Sequence, residues 1–274
     1  MTSLLLTAER TDLAPSEFVA RHANVFAVFD WTSQDSGNVS YGGRVGSERL
    51  FIKTAGSPED PRPFLRHHER VALLHNAVRL ARSVSDPALP GLRNVVESAE
   101  GPVLVYDWVD GELVGTPAAR RSDPTSAFAR FLALDPRERA AALDVVFRLH
   151  VTLAAPGWIA SDFYDGSLLY DFERRRMHVV DLDSYRDGPF TNDMGRMFGS
   201  SRFMAPEEYE RGARIDERTT VYTMGRTVAQ FLSLGTPAID ALIARACEAD
   251  PRRRFASIAD FYEAWTAGRG TAGG

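Results

Sequence analysis

The chain changes texture once, and that change limits its fold more than any single motif does. Up to about residue 109, apolar residues come in short alternating runs at 25–31, 39–45, 50–53, 92–96 and 103–109. Gly46-Ser47-Glu48 and Gly101-Pro102 supply turns between neighbouring runs. One helical stretch interrupts them. Phe64, Leu65, Val71, Leu74, Ala77, Val78 and Leu80 recur at helical spacing over 63–82, and Pro87 and Pro90 close it. After Gly111 the pattern turns helical. Asp135-Pro136-Arg137-Glu138 reads as an N-cap, a first-position Pro and a capping-box partner, opening a helix that runs to about residue 154. Further helical patterns cover about 219–234 and 237–249, and another opens at Ser257-Ile258-Ala259-Asp260. Two strand-like runs, 167–170 and 178–181, fall between the first two of these helices. The expected fold class is α+β, in two lobes. A β-rich lobe with one main helix spans 1–109, a larger α-helical lobe spans 110–266, and a Gly-rich disordered tail follows at 267–274.

Composition narrows the function classes. With 274 residues, 44% of them hydrophobic, the chain has the material for a folded core and not the profile of a disordered one. Its formal net charge of −5 and the lack of a sustained basic run argue against a nucleic-acid partner; the Arg252-Arg253-Arg254 triplet is too short. Cys247 is the single cysteine, which excludes an internal disulfide and a cysteine-based zinc site. No run approaches the roughly 18 apolar residues of a membrane span, and no basic stretch precedes the apolar run near the N-terminus, so neither membrane partner nor signal peptide is expected. The expected compartment is the cytoplasm. Oligomeric state stays open.

A few residues stand where chemistry could use them. Lys53 follows Leu50-Phe51-Ile52 and is either a solvated strand end or a phosphate-binding cation on a strand. Glu69, in the following helix, is either a surface acid or the ion-pair partner that positions Lys53. Asp162 lies in an acidic, Gly-containing loop after a long helix. Asp181 ends the apolar run Val179-Val180, where it is a turn residue or a carboxylate emerging from a strand. Phosphoryl transfer needs these parts: a cation on the phosphates, carboxylates for Mg²⁺, and a carboxylate beside the attacking hydroxyl.

The order of these residues resembles that of the eukaryotic-like protein kinases of bacteria, over about Phe26 to Trp265. Phe51-Ile52-Lys53 resembles the family's V-A-I-K strand. The run Val103 to Gly111 resembles the hinge between lobes, with Tyr106 as gatekeeper and the backbone of Asp107 and Val109 facing adenine. Asp162 matches the catalytic-loop Asp, and Asp181 the Asp of D-F-G. Gly199 to Glu207, ending Met204-Ala205-Pro206-Glu207, resembles the end of the activation segment. Asp250-Pro251-Arg252-Arg253-Arg254 resembles the segment whose last Arg pairs with the A-P-E Glu. The resemblance implies a bilobal Ser/Thr protein kinase using ATP and Mg²⁺. Lys53 would hold phosphates with Glu69 fixing it, Asp162 would accept the substrate proton, and Asp181 would bind Mg²⁺ with Ser167 as second ligand.

The departures from the family are equally specific. Ser36-Gly37-Asn38-Val39-Ser40-Tyr41-Gly42 replaces the glycine-rich loop, leaving Gly37 to let the backbone approach phosphate and Ser40 to donate a hydrogen bond. H-R-D becomes Ala160-Ser161-Asp162, which removes the usual partner of a phosphorylated activation loop. The family ties this region to an Asp, and Thr220 stands at that position. Tyr164 and Ser167 replace the family's Lys and Asn, with Asp165 and Asp183 as nearby acids that compensate. Asp183 makes a D-x-D pattern seen among small-molecule kinases of this fold. Two alternatives therefore stand beside the protein kinase: a kinase for natural products or antibiotics, and a pseudokinase acting as a binding scaffold. Outside the site, Trp31, Trp108, Trp158 and Trp265 are read as packing residues, His67-His68 as a solvated helix face and Cys247 as buried. Phe26, Phe64, Leu65 and Leu74 are core candidates.

Overall fold

A computed structural model describes residues 3–32, 37–232 and 237–270. Ser36 of the phosphate-loop candidate and residues 271–274 of the expected tail lie outside them. The chain is mixed α+β and divides into two compact units. The first comprises Met1–Ser85 and Pro90–Val109, the second Asp86–Leu89 and Asp110–Gly274.

The first unit is built on one antiparallel sheet of order β1-β2-β3-β5-β4. Two short helices, α1 (Leu4–Thr7) and α2 (Pro15–His22), precede β1 (Asn24–Phe29), β2 (Val39–Val45) and β3 (Glu48–Thr54). Helix α3 (His67–Ser83) leads to β4 (Leu92–Val96) and β5 (Val103–Asp107). Gly46, at φ +58°, makes the tight β2–β3 turn that a residue with a Cβ takes only under strain. Val103, Leu104 and Val105 are all fully buried, because both faces of β5 are covered. Leu50, Ile52, Val103 and Val105 meet Leu5 of α1 and Phe18 and Val19 of α2. Leu104 meets Leu74, Ala77 and Val78 of α3 on the other face. Each such side chain contributes about 1.5–3 kcal/mol. Two core expectations fail: Phe64 is 79% exposed and Phe26 48%. The periodicity over 63–82 began too early, since the helix starts only at His67. Trp31 is exposed as well, with the Arg62 guanidinium over its ring.

The second unit is helical, with small strand pairs in its loops. It contains β6 (Glu112–Leu113), α4 (Ala127–Leu132) and α5 (Pro136–Ala154). Then come β7 (Trp158–Ile159), β8 (Leu168–Asp171), β9 (Arg176–Val179), β10 (Arg186–Asp187), β11 (Phe190–Thr191) and β12 (Arg214–Ile215). Helices α6 (Glu217–Phe231), α7 (Pro237–Ala246) and α8 (Ile258–Gly270) follow. The Asp135 carboxylate accepts from Arg137 N–H at the start of α5, with Pro136 at the first helical position. Glu138, read as the capping-box partner, instead accepts from the Tyr170 hydroxyl. Leu143, Val146, Phe147, His150 and Leu153 line the buried face of α5 at helical spacing. Phe147 packs on Phe261 and Trp265 of α8, and Trp265 Nε1 donates to Asp144. Helix α8 continues to Gly270, so 267–270 are helical, contrary to the expected tail. Cys247 is half-buried. Among the described residues no helix is long and apolar enough to cross a membrane.

Candidate functional site

In the first unit the β2–β3 register sets Ser40 opposite Lys53. Lys53 lies inside β3 rather than at a solvated end, and it is only 7% exposed, which is rare for a lysine. Strand alternation brings Ser40, Gly42, Phe51 and Lys53 to the same face as Leu104 and Tyr106. Ser40 Oγ is fully buried, with no hydrogen-bond partner among the described residues. A Cβ on Gly42 would lie 2.6 Å from the Phe26 ring and 2.9 Å from that of Trp108, so glycine is needed there for aromatic packing. Gly37 has φ +80°, and a Cβ there would run into the Pro63 ring, so the vacant volume serves packing.

One expectation for this unit needs correction. Glu69 is not in mid-helix but in the first turn of α3. Its carboxylate accepts from Arg66 N–H at 2.8 Å and from the Arg66 guanidinium at 2.9 and 3.1 Å. Those bonds hold its pKa down at about 2. The acid expected to fix Lys53 thus caps its own helix. Its neighbour Arg70 is the buried charge, donating to the carbonyls of Ala55, Leu65 and Ser57. Asp107 N–H donates to Gly91 O and its carboxylate accepts from Arg93. Val109 is half-buried at the end of the unit.

In the second unit, β7 pairs with β10 and the loop 160–167 follows. The β8–β9 hairpin then returns the chain, and Val180 N–H donates to Ser167 O. Asp181 thereby comes back beside the Asp162 loop. Asp162 at φ +58° and Asp181 at φ +63° are two of the three non-glycine residues with left-handed backbone among those described. Such conformations cost energy and concentrate at functional sites. Burial, and then the charge of Asp181, push the Asp162 carboxyl up to about 7. Asp181 is exposed, whereas Asp183 and Ser167 are buried. Behind them the buried Tyr185 hydroxyl lies 2.7 Å from His150 Nε2. Burial drives His150 down to about 4, and its Nδ1 lies 2.8 Å from Val146 O. The ring is therefore neutral, Nδ1–H donates to Val146, and Nε2 accepts from Tyr185.

The segment 199–207 reaches this loop. A Cβ on Gly199, which has φ +132°, would lie 3.6 Å from Asp162 Oδ1. The structure brings Glu207 and Arg254 together in a buried bidentate pair at 2.6 and 2.8 Å, with Thr219 Oγ1 donating to the same carboxylate. Burial raises the adjacent Glu208 to about 7, although it accepts from Ala205 N–H. Ala160 N–H donates to Thr220 Oγ1 at 3.0 Å, so a hydroxyl makes a tie where the loss of the Asp suggests none. Asp165, expected to compensate as a cation ligand, is instead held by Arg202, with Nη2 2.7 Å from both carboxylate oxygens. Sequence reasoning missed Arg202, Thr219, His150 and Tyr185, whose partners lie far along the chain.

Among the described residues no group of three or more His, Cys, Asp or Glu side chains is placed to hold a metal ion. A cavity of about 460 Å³ beside Phe255 and one of about 260 Å³ beside Pro189 include neither Asp162 nor Asp181. The acids can serve as proton acceptor and as ligands of a cation that takes its remaining oxygens from phosphate and water. No protein-family model matches the chain, and no curated protein matches it.

Proposed function

We propose that the chain is a phosphotransferase with a bilobal protein kinase-like fold, moving the γ-phosphate of ATP to a Ser or Thr hydroxyl of a protein. The observation that carries this reading is the pair Asp162 and Asp181, each in left-handed backbone, with Asp162 pushed up to about 7 beside the other's charge. The Glu207–Arg254 pair adds support, since it sits where the kinase resemblance asks for it.

The donor set fits Mg²⁺: two mutually repelling carboxylates are hard oxygen ligands, and Asp181 is the exposed one. Asp181 would hold the ion, with the Ser167 hydroxyl and Asp183 beside it. Bound there, Mg²⁺ supplies charge neutralisation on the transferring phosphate. Lys53 would hold the α- and β-phosphates, and Ser40 Oγ, buried on the same face without a partner, has a hydrogen bond to give. Asp162 accepts the acceptor hydroxyl's proton as that oxygen bonds to the γ-phosphorus. The bond from that phosphorus to the β–γ bridging oxygen breaks, and ADP leaves with the electron pair. In the metal-free chain the Asp162 carboxyl sits near 7, in the range a general base uses at neutral pH.

The commitment of Glu69 to Arg66 favours a second reading, a pseudokinase that binds partners without turnover. One experiment separates the two. Melting temperature is measured with ATP, with and without Mg²⁺, for wild type and Asp181→Asn, alongside phosphate transfer by wild type and Asp162→Asn. The phosphotransferase gives a Mg²⁺-dependent rise that Asp181→Asn abolishes, and transfer that Asp162→Asn abolishes. No rise at millimolar ATP, or full transfer by Asp162→Asn, rejects it.

A further inference from the structure

We propose that Asp165 and Arg202 form a positioning clasp that sets the 199–207 segment against the Asp162 loop without any phosphate group. The consequence for rate rests on the phosphotransfer reading; the clasp itself does not. Asp165 is 1% exposed, and a carboxylate at that depth needs cations and donors around it. It has them from two segments. Arg202 Nη2 lies 2.7 Å from both oxygens, and Arg121 Nη2 lies 3.9 Å from Oδ2. Each arginine is held in turn. Arg121 Nε donates to Thr116 O, and the Arg202 guanidinium lies over the Phe203 ring. The Arg202 carbonyl accepts from Arg226 Nε of α6 at 2.8 Å. The Asp165 carbonyl accepts from Gly115 N–H.

The clasp therefore ties together the 115–121 segment, the Asp162 loop, the 199–207 segment and α6. Arg202 stands three residues after Gly199, whose backbone runs beside the Asp162 carboxylate. A regulatory phosphate orders a loop by adding charge that arginines can pair with. Here the anion is an encoded aspartate in the loop and the arginine is in the segment, so the order is permanent. Arg202 is a positioning residue, because it acts on Asp162 through the segment.

The test is amide hydrogen exchange on the full chain, comparing wild type with Arg202→Ala, Arg202→Lys and Asp165→Asn. Arg202→Ala should speed exchange over 199–205 by about tenfold or more, while β8, β9 and α6 stay protected. Arg202→Lys keeps the charge but loses the planar guanidinium that reaches Asp165 through Nη2 and Gln230 through Nη1, so it should fall between. If Arg202→Ala does not fold, Arg202→Lys decides. Unchanged exchange over 199–205, or an equal loss of protection everywhere, overturns the clasp. The second arm follows transfer after phosphatase treatment. Wild type should keep its rate, and Arg202→Lys should lower kcat while KM for ATP stays within about twofold. Loss of rate on phosphatase treatment overturns the proposal. If wild type transfers no phosphate at all, the phosphotransfer reading fails and the exchange result still decides the clasp.

Discussion

The two units handle charge differently. In the first, Glu17–Arg21 and Arg66–Glu69 join residues within four positions of each other, Arg93 reaches Glu48 and Asp107 across the sheet, and all of these side chains are open to solvent. In the second, Glu207–Arg254, Asp165–Arg202 and Asp144–Arg269 join segments far apart in the chain, and Glu207, Arg254 and Asp165 are buried. The cause lies in the backbone. The first unit takes its shape from a five-stranded ladder with apolar cover on both faces. Between α5 and α6 the second unit has only short strand pairs, too little ladder to fix a long loop region. There, buried ion pairs and single hydrogen bonds do the shaping, and those loops carry the candidate chemistry.

The largest expected effect tests that contrast directly. Arg254→Ala leaves the Glu207 carboxylate buried without its bidentate partner, and should cost about 3–5 kcal/mol of unfolding free energy by denaturant titration. Arg66→Ala removes an exposed pair of similar geometry, and its midpoint should stay close to wild type. Equal midpoints for the two variants would erase the distinction between the units.

The next effect is on pH dependence. Asp162 and Glu208 each sit near 7 in the folded chain, above their ordinary carboxylate values. Between about pH 4 and 7 the native state therefore holds protons that the unfolded state has released. Stability is then greatest at the acid end of that window and falls as pH rises through it. His150, lowered to about 4, acts the other way, adding stability as pH rises from about 4 to 6.5. Two groups outweigh one, so wild type should lose stability from pH 5 to pH 8. Asp162→Asn should remove about 2–4 kcal/mol of that loss, becoming more stable than wild type at pH 8 while losing transfer. In the first unit the shifted acids Asp30, Asp60 and Glu69 all move down, chiefly through side-chain hydrogen bonds, so they cannot produce this slope. A gap between wild type and Asp162→Asn that does not widen with pH would show that Asp162 is not buried against Asp181.

What could be read from the sequence follows the same division. The long elements were legible: β2, β4 and α5 have the expected bounds, because alternation, helical spacing and the Asp135-Pro136 cap are local signals. Helices α1, α2 and α4 are too short for periodicity to emerge, and two-residue strands such as β7 and β10 have no pattern at all. Glu69 was misplaced because Phe64 and Leu65 mimic a helical face ahead of the true start at His67, which turned a first-turn acid into a mid-helix one. Asp162 and Asp181 were found from their order along the chain, and although Asp takes left-handed backbone more readily than most residues, nothing local singles these two out. Glu207 and Arg254 were paired through a motif. Arg202 lies inside the Gly199–Glu207 string, but its pairing with Asp165 belongs to no motif, and one sequence cannot reveal a pair separated by 37 positions.

The smallest effects sharpen the comparison to one hydroxyl in each unit. Thr220 and Ser40 are both buried, but Thr220 Oγ1 accepts from Ala160 N–H, while Ser40 Oγ has no partner among the described residues. Thr220→Val keeps the shape and strands a buried N–H, so it should cost about 1–3 kcal/mol, and Thr220→Ser should recover most of it. Ser40→Ala deletes a hydroxyl already buried without compensation, so it should leave stability unchanged or raise it by up to about 1 kcal/mol. If the phosphotransfer reading holds, Ser40→Ala should also weaken ATP binding, since that hydroxyl is kept for a ligand. A stabilised Ser40→Ala variant with unchanged ATP affinity would leave the first unit's buried hydroxyl with no role in nucleotide binding. Lys53 would then be the candidate left on that face of the sheet.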